Sequence, residues 1–355
     1  MYRLATQPVA AEHAIVHRHA DRFAAWPFNG GLWKYAGDEV VVSFNSRTCH
    51  YREKYEVDHG YSPRGVNGPL LVRSRDGGAT WTEQEFTAAL DLDARLRSGG
   101  IPLSYDTALD LRHPDLLLGH YGFCVILSLD RGRTFTRTCR LPSARFLQVM
   151  GRPDYVIRPD GACVLFSTVS TTSGVEGRPV VYITRNGART WEFLNFMTEE
   201  PRFHMKIMPS GVWLPGGTLL AAVRVQMEGA AYSLWSEVYA SEDGGATWQF
   251  RGRVSDLGAP CHLLLLDDGR VLATYGYRTA PFGIRARLSA DEGRNWGPEL
   301  ILRDDGGSWD LGYAKTVQLD GGDLLSLYYF NDQNDPVQLS GGVRYIAASR
   351  WQAPD

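Results

Sequence analysis

Three arginines stand at the ends of apolar runs: Arg47 in Ser43-Phe-Asn-Ser-Arg47, Arg224 in Leu219-Leu-Ala-Ala-Val-Arg224 and Arg278 in Tyr275-Gly-Tyr-Arg278. A guanidinium stays charged at any working pH and grips a carboxylate through paired N–H bonds. Arginines converging from separate parts of a chain therefore suit an anionic ligand. Tyr313, in Leu311-Gly-Tyr-Ala-Lys-Thr-Val-Gln-Leu319, offers a phenol. Such a group attacks at neutral pH only beside a base or among cations. His204, His262 and His120 offer acid–base chemistry with it, and Asp310 stands three residues before Tyr313 to orient one of them. A histidine on an apolar strand, as His262 is, more often belongs to a core. Asn29 and Asp332 add polar contacts, and Asp58 lies in a polar loop with Glu56 and His59 beside it. No His, Cys, Asp or Glu set has metal-ligand spacing along the chain, so neither a metal nor a cofactor is implied.

These residues need a scaffold, and an internal repeat supplies it. Ser241-Glu-Asp243-Gly-Gly245-Ala-Thr247-Trp248 recurs in variant form around Asp76, Asp130, Asn186 and Asp291, with steps of 54, 56, 57 and 48 residues between the central positions. A repeat at this interval is the mark of one supersecondary unit used again and again. The Asp or Asn oxygen accepts backbone N–H bonds, the Gly takes positive φ, the Thr hydroxyl ties the far side, and the Trp or Phe plugs apolar space. A strand-like run precedes every copy, as in Val180-Val-Tyr-Ile183 and Ile284-Arg-Ala-Arg-Leu288. The motif is thus a structural hairpin turn between strands C and D of a four-stranded blade.

Around each motif the pattern is strand A, a Gly turn, strand B, a variable loop, strand C, the motif, and strand D. Blade four shows it best, with strands at 208–214, 218–224 and 234–240 about the Pro215-Gly-Gly217 turn. A sixth strand-C run, Val343-Arg-Tyr-Ile-Ala-Ala348, lacks the motif, so six blades are expected and the chain reads as an all-β, six-bladed β-propeller in one domain over 1–355. Residues 1–25 precede blade one; Glu12–His17 is expected to close the ring by pairing with the last blade, hiding a sheet edge. The A–B turns and the motifs share one face, and the pocket is expected on the other. Arg47, His120, Arg224, Arg278 and Asp332 then end B strands, while Asn29, His204, His262 and Tyr313 begin A strands. Phe86–Arg97 carries a weak helical pattern.

The five motifs are Asp boxes, or BNR repeats, and over residues 18–350 the chain resembles the sialidase superfamily. The resemblance implies an exo-acting glycosidase in which three arginines bind the sugar carboxylate. It further implies a Tyr nucleophile assisted by a Glu, and an Asp of a blade-one loop as general acid. On that pattern Tyr313 is the nucleophile, Asp58 the acid, and Arg47, Arg224 and Arg278 the carboxylate ligands; Arg285 and Arg287 are rivals for the last. Two positions depart from it. The family's first-blade Arg-Ile-Pro segment reads Ala25-Trp-Pro-Phe-Asn-Gly-Gly31 here, leaving Arg18 or Arg22 as substitutes. The Glu that opens strand A of blade four is missing from Phe203-His204-Met-Lys206-Ile-Met208, which puts His204 or Lys206 in its place.

Composition narrows the partners. A net charge of −3 provides no field for nucleic acid, and no run of 18 apolar residues spans a membrane. Five scattered cysteines read as free thiols, and the N-terminus lacks a signal-peptide form, so a cytoplasmic location is expected. The expected ligand is a carbohydrate bearing a carboxylate: sialic acid, a related keto-deoxy sugar or a uronic acid. The alternatives are a non-catalytic glycan- or protein-binding propeller and a polysaccharide lyase using His and Tyr.

Overall fold

The computed structural model describes residues 5–57, 67–86, 92–142, 146–174, 176–201, 204–227, 234–258 and 260–355. Six sheets, antiparallel but for one edge strand, form the blades of an all-β, six-bladed β-propeller. Among the described residues helix is confined to short pieces, including Leu92–Arg97 inside the span where a helical pattern is weak. Among the described residues no helix is long and apolar enough to cross a membrane. The chain forms two compact units: residues 1–86 with 254–355, and residues 87–253.

The first unit holds blades one, five and six. Blade one departs from the expected single A strand. Arg22–Ala25 and Leu32–Tyr35 both pair with Glu39–Thr48, and a turn at Pro27–Gly30 separates them. A side chain on Gly30 would strike the Ser43 carbonyl, so only glycine lets the turn settle against the strand. Blade five runs Cys261–Leu265, Val271–Tyr277, Gly283–Ser289 and Glu299–Arg303, with Thr6–Pro8 added parallel at its edge. Blade six builds only Gly312–Gln318, Leu324–Phe330 and Tyr345–Trp351 from its own stretch of chain. Its fourth strand is Ala11–His17, antiparallel to Tyr345–Trp351. Between blades five and six, Leu272, Ile284, Leu311, Tyr328 and Phe330 form a buried core.

The second unit holds blades two, three and four. Among the described residues blade two has three strands, Leu117–Tyr121, Cys124–Ser128 and Arg137–Arg140. Blade three runs from Val149–Ile157 to Glu192–Phe196, and blade four from His204–Trp213 through Leu219–Met227 and Leu234–Ser241 to Gln249–Ser255. Cores again fill the space between sheets: Leu118, Val125 and Leu165 between blades two and three, Phe166, Val181 and Val223 between three and four. All five cysteines are free and buried among the sheets.

The five Asp boxes fold alike. In blade four, Ser241 Oγ donates to Asp243 Oδ1, which also accepts Thr247 N–H at 2.8 Å; Thr247 Oγ1 donates to Oδ2 at 2.6 Å, and Gly245 N–H donates to Ser241 Oγ. Asp76 is bound the same way by Ser74 and Thr80, and these bonds, the Thr80 hydroxyl's first, hold its carboxyl at about 2. With Asn186 the second bond reverses, the amide Nδ2 donating to Thr190 Oγ1, so a neutral residue serves equally well. In blade one Gly77 N–H donates to the Asp38 carbonyl, joining the Asp box to the A–B turn on one face of the blade.

Candidate active site

In the first unit the site grows from the start of strand Gly312–Gln318. Its register against Leu324–Phe330 shifts between Gly312 and Lys315, a bulge with Gly312 at φ 103° and Tyr313 at φ 51°. A Cβ on Gly312 would lie 2.6 Å from the Gly276 Cα, so the two backbones meet where only glycine fits. Positive φ is uncommon for an aromatic residue and signals a constraint imposed from outside. The constraint is architectural in part, because Met208 of blade four sits in a similar bulge at φ 56°. Blade six differs in what the bulge carries.

The Tyr313 ring packs edge-on to Phe28 and Tyr329, with ring centroids 6.5 and 5.7 Å away. The Arg278 guanidinium lies 5.2 Å from its centroid and 5.5 Å from that of Trp309. Arg278 donates from Nε to the Leu311 carbonyl at 3.1 Å and from Nη2 to the Tyr329 hydroxyl at 3.0 Å. Tyr329 passes its own proton bond to Asp310 Oδ1 at 2.6 Å, and Asp310 Oδ2 accepts Arg344 Nε at 3.2 Å. The result is a buried relay, Arg278–Tyr329–Asp310–Arg344. Burial opposes the charge on Arg278, yet Tyr329, Tyr313 and Asp310 around it carry its pKa above the ordinary value. Burial and the Asp310 charge push the Tyr329 phenol well up, so it remains a protonated donor.

Arg47 joins this unit from the strand Glu39–Thr48. It donates to the Glu56 carbonyl at 2.7 Å and its guanidinium lies 4.1 Å from the Phe23 centroid. Arg344 approaches the same ring at 5.9 Å. Asp58 and His59 lie outside the described residues. Glu56, the alternate carboxylate, caps the backbone N–H groups of Arg52 and Glu53; those bonds lower its pKa, contrary to what a general acid needs. His262 is tied up by the fold, since its Nδ1 accepts Thr316 N–H from the next blade. Arg285 and Arg287 bond backbone carbonyls, Ile284 and Gly297 among them. Asn29 falls within the Pro27–Gly30 turn rather than at a strand start, and it is its neighbour Phe28 that meets Tyr313. Asp332 caps Asn334 N–H in a turn.

In the second unit Arg224 donates to Gln226 Oε1 at 2.5 Å and reaches Met208 Sδ at 3.6 Å. Lys206, one of the two residues expected to replace the missing glutamate, has a glutamate brought to it from strand C. Its Nζ donates to Glu237 Oε2 at 2.9 Å and to Tyr239 Oη at 2.6 Å, and Tyr239 donates to the same Glu237 oxygen. Burial works against the Glu237 charge, but bonds from Tyr239, Trp235 and Lys206 outweigh it and lower the pKa. His204, whose pKa burial and then Lys206 depress, stands with Lys206, Tyr239, Trp248 and Phe250 around a cavity of about 740 Å³. His120 corrects an expectation: it is fully buried, Nε2 donates to the Gly122 carbonyl, and burial pushes its pKa down to about 4, so it meets no ligand.

Sequence reasoning named Arg278, Tyr313 and Asp310 but missed Tyr329, Arg344, Trp309 and Glu237. Arg344 and Glu237 sit in or beside strands C, where surface salt bridges are the usual expectation, and only the side-chain packing reveals them.

Blades punctuated by Asp boxes, with guanidinium, phenol and carboxylate groups buried at strand starts, define a six-bladed propeller of sialidase-like fold. The chain belongs to the BNR repeat-like domain family, whose sequence model matches residues 118–325, more than half of its length. Comparison with curated proteins gives no match. Among solved structures, a protein of unknown function from Dyadobacter fermentans DSM 18053 is similar at a TM-score of 0.75 and 23% identity, over 97% of this chain and 98% of that one. A mutant Trypanosoma rangeli sialidase displaying trans-sialidase activity is similar at 0.58 and 13%, over 97% of this chain and 59% of the sialidase. The GH93 α-L-arabinofuranosidase of Fusarium graminearum, in complex with arabinobiose, is similar at 0.58 and 12%, over 96% and 97%. At these identities the likeness shows a glycoside-hydrolase-like fold, not a substrate.

Proposed function

We propose that the protein is an exo-acting glycoside hydrolase that removes a terminal acidic sugar: sialic acid, a related keto-deoxy sugar or a uronic acid. The Arg278–Tyr313 pair carries this reading. A permanently charged guanidinium lies 5.2 Å from the ring of a tyrosine set on a bulged strand start, with a carboxylate relay behind it. The cation favours both a sugar carboxylate and phenolate character developing on Tyr313. In the retaining scheme Tyr313 Oη gives its proton to water and bonds to the anomeric carbon, while the glycosidic C–O bond breaks and an acid protonates the leaving oxygen. Water then attacks the anomeric carbon, its hydroxyl staying on the sugar and its proton recharging the acid, and the departing phenolate takes back a proton from solvent. The acid is Asp58 on the family pattern.

A screen of aryl glycosides of sialic, uronic and keto-deoxy sugars tests this. Tyr313→Phe should lose about a thousandfold or more in kcat, the scale of a lost nucleophile. Arg278→Ala should weaken turnover of acidic glycosides most. Release of arabinose from arabino-oligosaccharides, with acidic glycosides untouched, would remove the acidic-sugar reading. An unsaturated, ultraviolet-absorbing product would indicate a lyase. A second reading has an observation of its own: Tyr313 is only 2% and Arg278 5% exposed, and the hydrogen bonds of Arg278 to Leu311 and Tyr329 stay within the protein. That favours a non-catalytic binding propeller, for which Tyr313→Phe would leave glycan binding unchanged and no glycoside would be cleaved.

A further inference from the structure

Away from this machinery, His17, His19 and Glu83 bring one ligand atom each to within 4.8 Å of one another. His17 ends the strand Ala11–His17, the N-terminal strand of blade six, and Glu83 belongs to Thr82–Glu85, the outermost strand of blade one. His17 Nδ1 is 2.6 Å from Glu83 Oε1, and His19 Nε2 is 3.4 Å from the same oxygen. On the far side of the ring, His17 Nε2 is 3.4 Å from Ser46 Oγ, which also accepts Arg22 Nε at 3.1 Å. A serine oxygen has two lone pairs, so it can take the His17 Nε2 proton as well as the arginine's. With the Nε2 proton given to Ser46, the His17 Nδ1 lone pair faces a carboxylate oxygen, an arrangement that calls for a positive centre between them; if the Ser46 hydroxyl instead donates to Nε2, the Nδ1 proton bonds Glu83 directly. A proton is one such centre and a metal ion is the other.

We infer that His17, His19 and Glu83 form a site for a borderline divalent cation such as Zn²⁺, tying the N-terminal strand to blade one. The donor set, two imidazoles and one carboxylate, is the kind that holds Zn²⁺ with a fourth position left to water. Ligand atoms at about 2.0–2.2 Å from a tetrahedral ion stand roughly 3.3 Å apart. The His19–Glu83 separation already meets this, the His17–Glu83 pair opens by less than about 1 Å to reach it, and the two histidine nitrogens, within 4.8 Å, close towards it. The site has room for that adjustment, because His17 is held inside while the His19 and Glu83 side chains are about half exposed. With a metal on Nδ1, His17 Nε2–H would donate to Ser46 Oγ, the outer support that metal-binding histidines ordinarily have. Sequence spacing hides the set, since Glu83 lies more than sixty residues from the His17-Arg-His19 pair.

The test is titration of the metal-stripped full chain with Zn²⁺ by calorimetry, with Co²⁺ absorption reporting coordination. One equivalent should bind, the Co²⁺ complex should show visible ligand-field bands, and the melting temperature should rise with Zn²⁺ concentration. His19→Ala and Glu83→Gln, both at exposed positions, should fold normally, weaken binding at least tenfold and abolish the thermal shift. His17→Ala is left out of the decision, because a buried ring lost could unfold the strand by itself. Absence of a saturable equivalent, or binding unchanged in both His19→Ala and Glu83→Gln, overturns the site and leaves the proton as the shared particle.

Discussion

Replacing Asp310 by Asn probes the buried relay directly. Asp310 is 3% exposed and accepts two donors, Tyr329 Oη and Arg344 Nε, while Arg344 is 1% exposed. Asparagine keeps one acceptor, so the Tyr329 bond can survive, but its NH₂ then faces the guanidinium donor to donor. Removing one partner of a buried ion pair costs about 3–5 kcal/mol, because the other charge stays buried and uncompensated. The Asp310→Asn change should fall near the low end of that range, since the Arg344 guanidinium keeps bonds to the Gly342 and Ser340 carbonyls. Arg344→Met fills similar volume but strands the Asp310 carboxylate, and should cost about as much. The double variant should then be less damaged than the sum of the two by roughly 2 kcal/mol or more, as neighbours in one network are strongly coupled. Urea unfolding followed by tryptophan fluorescence, with Cm compared at constant m, measures all four species. Additivity within about 0.5 kcal/mol would refute the relay as a coupled unit.

His120 makes a pH prediction of definite sign. Burial holds its pKa at about 4 against an ordinary 6.5, so between those values the unfolded chain binds the proton and the folded chain does not. The stability is fully present above pH 6.5 and falls by about 3 kcal/mol as pH drops towards 4. His120→Leu should flatten that part of the urea Cm profile, and an unchanged profile counts against the assignment. The cysteines make a second: burial pushes the Cys139 thiol up to about 11 and those of Cys163 and Cys261 higher. Ellman's reagent should therefore find almost no fast-reacting thiol in the native protein and five after denaturation. Five fast native equivalents would contradict the packing.

The blades were legible because turn chemistry is local. Each Asp box closes its bonds within eight residues, so Asp243 and Thr247 announce themselves in any context. The parts of the site on A-strand starts were legible for a similar reason: Tyr313 and Asp310 follow the blade's own rhythm. What stayed hidden depends on side chains crossing between strands. Arg344 reaches Asp310 across 34 residues and Glu237 reaches Lys206 across 31, and nothing in the spacing sets those pairs apart from surface charges. Blade one's A strand was misjudged because Pro27–Gly30 interrupts it, a break that rests on one glycine packed against the Ser43 carbonyl.

The mixed parentage of blade six bears on how the protein is born. Residues 11–17 leave the ribosome long before residues 345–351, with which they pair. Their sheet cannot be finished until both segments have been made, so the early segment must wait, unpaired, through the making of five other blades. A nascent chain is therefore exposed at that segment to proteases and to wrong strand partners, and a bulky fusion placed ahead of residue 11 burdens the late completion of blade six rather than the folding of the earlier blades.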